Sequence, residues 1–327
     1  MRSRIVIGAV LCLALSNGWG KEDPDECHRL LLEGNAQEKA GQYAAAAGSF
    51  LGAVHAAEQA RMDPCLLLAL NNLARVDDDM GQFAEAERLY RRALAMLKKG
   101  GHAEGTSYAG ILSNLGALFV EAGQVAAGEA TLRESLAMYA RLVPADDERI
   151  AATRNGLADA LMRTGKYREA EQMLEQALVI LENPSNHRAM LAVTLSNLAV
   201  LRRMQGRDPE AVPLLERSLA IFESENGRDH PALLRGLNNL ATAYAFTKRR
   251  DEADATFRRT LAIAEQYLGA NHPTYGFVLN NYAEFLGMNG RKAEAKTLAA
   301  KARDVLRDSA RRNGLGMTVD ASALRAK

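Results

Sequence analysis

Aromatic residues make up only 6% of this 327-residue chain, and its one tryptophan, Trp19, lies near the amino terminus. A core with so few rings is filled with Ala and Leu, which suits helices more than sheets. An excess of either charge is also lacking: 41 basic and 40 acidic residues leave a formal +1. That balance argues against nucleic acid as the main partner, since phosphate binding needs a basic surplus or stripe. No polybasic block invites adsorption to anionic membranes. Catalytic signatures are missing too, with no HExxH, paired CxxC, GxSxG or phosphate-loop spacing. None of His28, His55, His102, His187, His230 and His272 pairs with another at i+3 or i+4, so no metal-binding helix face can be drawn. The expectation is a chain without catalytic residues, metal or cofactor.

Long apolar runs are lacking except at the start. Arg2 and Arg4 precede an apolar stretch from Ile5 to Leu15, and small residues follow. Ser16 with Ala14, or Gly20 with Gly18, suits signal peptidase, whereas Val10 and Leu11 make a lipoprotein cleavage before Cys12 a poor fit. The stretch is short for a transmembrane helix and stands alone. Residues 1–20 therefore read as a signal peptide, with an uncleaved anchor as the rival. The chain is expected to be exported, periplasmic or secreted, with no membrane insertion after cleavage. Loss of the two arginines turns the net charge to −1.

What the sequence does have is a period. Glycine recurs at Gly41, Gly81, Gly123, Gly165, Gly206 and Gly290, with Lys248 in the sixth place, at separations of 40, 42, 42, 41, 42 and 42 residues. Seven units follow. In each, a small residue stands seven positions before the turn: Gly34, Ala74, Gly116, Ala158, Ala199, Ala241 and Ala283. Another follows five positions after it, at Ala46, Ala86, Gly128, Ala170, Ala211, Ala253 and Ala295. Two helices can approach closely across such places. A larger residue comes four positions later (Phe50, Tyr90, Leu132, Leu174, Leu215, Phe257), then a small one three beyond, from Ala53 to Ala302. That i, i+4, i+7 stripe is one buried helical face. Pro24, Pro64, Pro231 and Pro273 mark helix starts, Pro209 suits a first turn, and Pro213 is expected to bend its helix.

These features resemble the tetratricopeptide repeat, and the 42-residue period resembles the kinesin light chain subtype. The resemblance is carried by Gly227-Arg-Asp-His-Pro231 through Leu237-Asn-Asn-Leu-Ala241, by Gly269-Ala-Asn-His-Pro273 through Leu279-Asn-Asn-Tyr-Ala283, and by Gly81-Gln-Phe-Ala-Glu-Ala-Glu87. It covers roughly residues 25 to 303. It implies an all-α fold, a right-handed α-solenoid of about seven helix-turn-helix repeats over residues 21–312, with a C-terminal capping helix and a flexible tail at 313–327. Departures stand at Leu32 and Gly156, where Asn is usual, at Asp77, and at Asp208, Arg250 and Lys292, where an aromatic often packs.

In such a solenoid the first helices line the inner face. Asn72, Asn114, Asn197, Asn239 and Asn281 recur there, and the resemblance implies that this row holds the main chain of a peptide ligand. The rival is that each Asn bonds within the repeats and fixes register. Helical spacing extends the face to Val193, Val200, Met204, Phe246, Phe277 and Met288, interrupted by Arg235 and Glu284; earlier repeats give Arg75, Asp79, Glu121, Asp159 and Arg163. The apolar set reads either as a docking surface or as inter-repeat core. The run Asp77-Asp78-Asp79 lacks a calcium-loop spacing and reads as an acidic face, and His230 and His272 read as turn residues. Cys27 and Cys65 are a disulfide candidate that would staple the terminal repeat, or two unrelated buried thiols. The expected function is a non-enzymatic scaffold that binds a protein or peptide ligand on repeats five to seven. The alternative is an assembly protein whose groove takes another copy of itself or a neighbouring chain end. Gly156 is expected to divide the Asn row.

Overall fold

The computed structural model describes residues 26–182 and 188–312, with side chains to residue 308. The expected signal peptide at 1–20, Pro24, His187 and the expected tail at 313–327 lie outside them. The described residues form fourteen α-helices in seven pairs, without a strand among them. These are α1 (Glu26–Lys39) with α2 (Tyr43–Ala60), α3 (Asp63–Asp79) with α4 (Phe83–Lys99), and α5 (Thr106–Glu121) with α6 (Val125–Leu142). Next come α7 (Glu148–Arg163) with α8 (Tyr167–Leu181) and α9 (Arg188–Met204) with α10 (Asp208–Asn226). A 3-10 turn at Pro231–Leu233 leads into α11 (Leu234–Phe246), paired with α12 (Arg250–Leu268), and α13 (Pro273–Met288) pairs with α14 (Lys292–Arg312). This is an all-α helical repeat solenoid.

The periodic glycines close the first helix of each pair. Gly81 has φ +78°, and its N–H donates to Asp78 O while Gln82 N–H donates to Asp77 O, both at 2.8 Å. That is a Schellman closure, which requires a left-handed residue and so favours glycine. Lys248 adopts the same state at φ +61°, with Arg249 N–H on Tyr244 O at 2.9 Å. The small-residue columns are needed for space. A Cβ on Gly128 would lie 2.5 Å from Val120 Cγ2 and 2.7 Å from the Gly116 carbonyl oxygen. The larger stripe from Phe50 to Phe257 is buried throughout. α10 runs on through Pro213, whose ring is exposed.

The molecule divides within α9 into two compact units, one ending at Asn197 and the other beginning at Leu198. The amino-terminal unit has one core around Phe50, Leu70 and Tyr90 and another around Tyr139, Ile150 and Leu181. The carboxy-terminal unit packs around Leu237, Leu279 and an aromatic trio, Phe257, Tyr282 and Phe285, with ring centroids 5.3 to 6.2 Å apart. The acidic run resolves unevenly. Asp77 is buried in the core, in the column that holds Phe119 and Leu161 in the next repeats, while Asp78 and Asp79 are half-buried. For Asp77 the reading as part of an acidic face is therefore corrected: one helical step carries its carboxylate inward.

Candidate functional site

Within each unit one side is tighter. In the amino-terminal unit α1 touches α3, α3 touches α5, and α5 touches α7; in the carboxy-terminal unit α11 touches α13. Within either unit, no second helix among the described elements touches another second helix. The first helices therefore line the inner side of each unit.

On that side the Asn row forms a seam between repeats. Asn72, Asn114 and Asn197 are buried, whereas Asn239 and Asn281 are half-buried. Asn114 Nδ2 donates to Asn71 Oδ1 at 2.9 Å, Asn197 to Asn155 at 3.3 Å, and Asn281 to Asn238 at 3.1 Å. The acceptor in each case is one residue ahead of the ladder position in the preceding repeat. Asn72 instead reaches Asn35 at 3.4 Å. Gly156 brings no amide to this seam, and its neighbours bond in other ways. Asn155, beside it, accepts from Asn197 and donates to Thr194 Oγ1 at 2.7 Å, and Ser113 meets Thr153 at 3.1 Å. The row of ladder amides therefore has its gap at Gly156, where a hydroxyl pair joins the third and fourth repeats instead. The signal for these extra members was the doubled Asn of Leu70-Asn71-Asn72. An amide has two N–H donors and a carbonyl oxygen, so one donor of each paired amide is spent between repeats.

The apolar residues on the same side behave differently from core. Met204, Phe246, Phe277 and Met288 are 47%, 56%, 42% and 61% exposed; Val200 is half-buried and Val193 buried. Met204, Phe246 and Met288 share one register position, at the last turn of three successive first helices. Arg203 places its guanidinium carbon 5.8 Å from the Phe246 ring centroid and pairs with Asp208 at 3.2 Å. The same column in the amino-terminal unit is charged: Asp79, Glu121 and Arg163, the last bound to Asp159 at 2.9 Å. There Arg75 forms a two-pronged, largely buried pair with Glu38.

The remaining candidates occupy structural places. His230 Nδ1 accepts the Ala232 N–H at 3.1 Å and His272 Nδ1 accepts the Thr274 N–H at 3.2 Å, so both cap helix starts. Burial holds the His272 pKa below its ordinary value. Desolvation, reinforced by Glu85, pushes Asp77 up to about 6. The Cys27 and Cys65 sulfurs are bonded, with their Cα atoms 6.5 Å apart, tying α1 to α3. Among the described residues, no group of three His, Cys, Asp or Glu side chains is placed to hold a metal ion, and no helix is long and apolar enough to cross a membrane.

The tetratricopeptide repeat profile matches residues 107–183, 190–266 and 235–308, and a second profile of the same description matches 66–99. No curated protein matches the chain in sequence. Among solved structures, it is similar to a kinesin light chain-like protein of nearly identical TPR-like repeats from Podosopora anserina. Identity is 27% over 61% of this chain and 95% of that one, with a TM-score of 0.52. BtubC from P. vanneervenii is 24% identical over 62% and 81% of the two chains, TM-score 0.51. Aspartyl phosphate phosphatase F from Bacillus subtilis is 14% identical over 79% and 75%, TM-score 0.54. The last two share the fold alone.

Proposed function

The chain belongs to the tetratricopeptide repeat family, of kinesin light chain-like type, and from that premise we propose that it is a protein-interaction scaffold whose carboxy-terminal unit binds an extended polypeptide segment. The observation that carries this reading is the exposed row of Met204, Phe246 and Met288, with Phe277, on the inner side of that unit. Single exposed apolar residues are common on any surface. Four on one face, three of them in repeat register, are a patch of the kind that marks an interface. Covering the open half of each such side chain is worth about 1 kcal/mol. The half-buried amides of Asn239 and Asn281 lie on the same first helices and offer their remaining polar atoms to a ligand main chain. The buried Asn72, Asn114 and Asn197 hold register within the amino-terminal unit. The work done is binding, not catalysis.

In this reading the mature chain acts outside the cytoplasm, where a bond such as Cys27–Cys65 persists. Mass spectrometry of the amino terminus of the exported protein tests the cleavage.

Panning a random peptide library on the immobilised chain tests the binding itself. Enriched peptides are expected to lose at least about tenfold in affinity to a Phe246→Ser, Met288→Ser variant. A Val179→Ser variant, altered at an exposed side chain of the second helix α8, is expected to bind unchanged. Equal affinity for the parent and the Phe246/Met288 variant would sink the proposal. Concentration-dependent oligomers in light scattering, abolished by that variant, would assign the face to a second copy of the chain instead.

A further inference from the structure

Two joints of the carboxy-terminal unit are built alike. Gly227-Arg228-Asp229-His230-Pro231 and Gly269-Ala270-Asn271-His272-Pro273 each leave a second helix through a left-handed glycine, at φ +87° and +80°. Each then enters the next first helix through His-Pro. Both histidines sit at the N-cap in extended backbone, with ψ 137° and 139°. In both, Nδ1 accepts the first N–H available after the proline, which has none to offer.

Histidine makes an uncommon cap. Asn and Ser accept this bond at any ordinary pH, and Asp down to the carboxylate range, but imidazole Nδ1 accepts only while the ring is neutral. Protonation turns the acceptor into a donor aimed at a donor. It also sets a positive charge at the positive end of the helix dipole.

We propose that His230 and His272 form a pair of acid-releasable caps, through which protonation loosens the starts of the two first helices that carry Phe246, Phe277 and Met288. The capping itself stands on the two hydrogen bonds. Its consequence for ligand binding rests on the face proposed above.

The charged surroundings differ between the joints. The His230 joint has Arg228 and Asp229 in its own sequence and Arg235 at the start of α11, and Arg259 of α12 pairs with Glu223 of α10 at 2.7 Å. Arg259 also donates to the Arg228 carbonyl. The positions equivalent to Glu223 and Arg259 around His272 are Glu265 of α12 and Lys301 of α14, whose Nζ donates to Tyr275 Oη at 2.9 Å. The direction is the same at both joints. A cap holds while its imidazole is neutral and is lost on protonation, and burial holds the His272 pKa below its ordinary value.

Amide hydrogen exchange on the full chain without ligand tests this, read at about pH 7.5 and about pH 5 and corrected for intrinsic rates. Protection of the first turns after His230 and His272 is expected to fall about fivefold per cap in acid. A His230→Asn, His272→Asn variant keeps a cap that does not titrate and is expected to show no such fall. His230→Ala with His272→Ala is expected to show the low protection at both pH values. An acid loss of equal size in the Asn variant, or none in the parent, overturns the proposal. Because no ligand is present, either result leaves the binding face to its own test.

Discussion

Removal of the Cys27–Cys65 bond is expected to release α1 while the carboxy-terminal unit keeps its stability. The bond spans 38 residues of sequence. Closing a loop of that length in the unfolded chain is worth about 4 kcal/mol on the chain-entropy account. α1 has little to set against that loss. Its buried residues are Cys27, Leu31 and Gly34, while Leu32 is 66% exposed. Burial of Leu31 contributes about 2 kcal/mol, and polar ties to α3 come from Arg75 on Glu38 and Asn72 on Asn35. A terminal repeat also has one neighbour instead of two, so its loss need not propagate. Hydrogen exchange of the Cys27→Ala, Cys65→Ala variant is the assay. Protection of α1 is expected to drop by at least about a hundredfold, a conservative reading of the loop-closure figure, while α11 to α14 stay unchanged. Unchanged protection of α1, or a uniform drop along the whole chain, would refute the reasoning.

Three further outcomes follow from single side chains. Because burial raises the Asp77 carboxyl to about 6 from 3.8, ionisation opposes folding, fully above about pH 6 and not at all below the unfolded value. Asp77→Asn should therefore stabilise by up to about 3 kcal/mol at neutral pH and hardly at all near pH 4, as denaturant melts at the two pH values would show. Gly128→Ala drives a methyl into the Gly116 carbonyl and Val120, and calorimetry should register a loss of about 2 kcal/mol or more. Lys248→Gly relieves a left-handed side-chain residue and should gain up to about 1 kcal/mol in a urea melt, net of the flexibility glycine adds to the unfolded chain.

Most of the fold was legible because its constraints are local and repeat in every unit. A corner glycine, a small residue on each facing helix and an i, i+4, i+7 stripe can be read from one helix pair at a time. Features that depend on how two repeats are offset were less open. The doubled Asn was visible, yet which of the two donates and which accepts follows from the stagger of neighbouring first helices. The first interval of the period is two residues shorter than the usual 42, and there Asn72 turns to Asn35 instead of the expected register. Three adjacent aspartates look alike as a charge run, but helical rotation buries only Asp77. Met204, Phe246 and Met288 have the spacing of a core stripe, and only the packed neighbours reveal that nothing in the carboxy-terminal unit covers more than about half of each.

The most direct test of the account places a photoreactive benzoylphenylalanine at position 246 and, in a separate protein, at position 179. Irradiation of the extracytoplasmic fraction is expected to yield a discrete crosslinked product from position 246, on the inner side of the carboxy-terminal unit, and none from position 179. Products from position 179 alone, or equally from both, would contradict the claim that the exposed row is where this chain meets its partner.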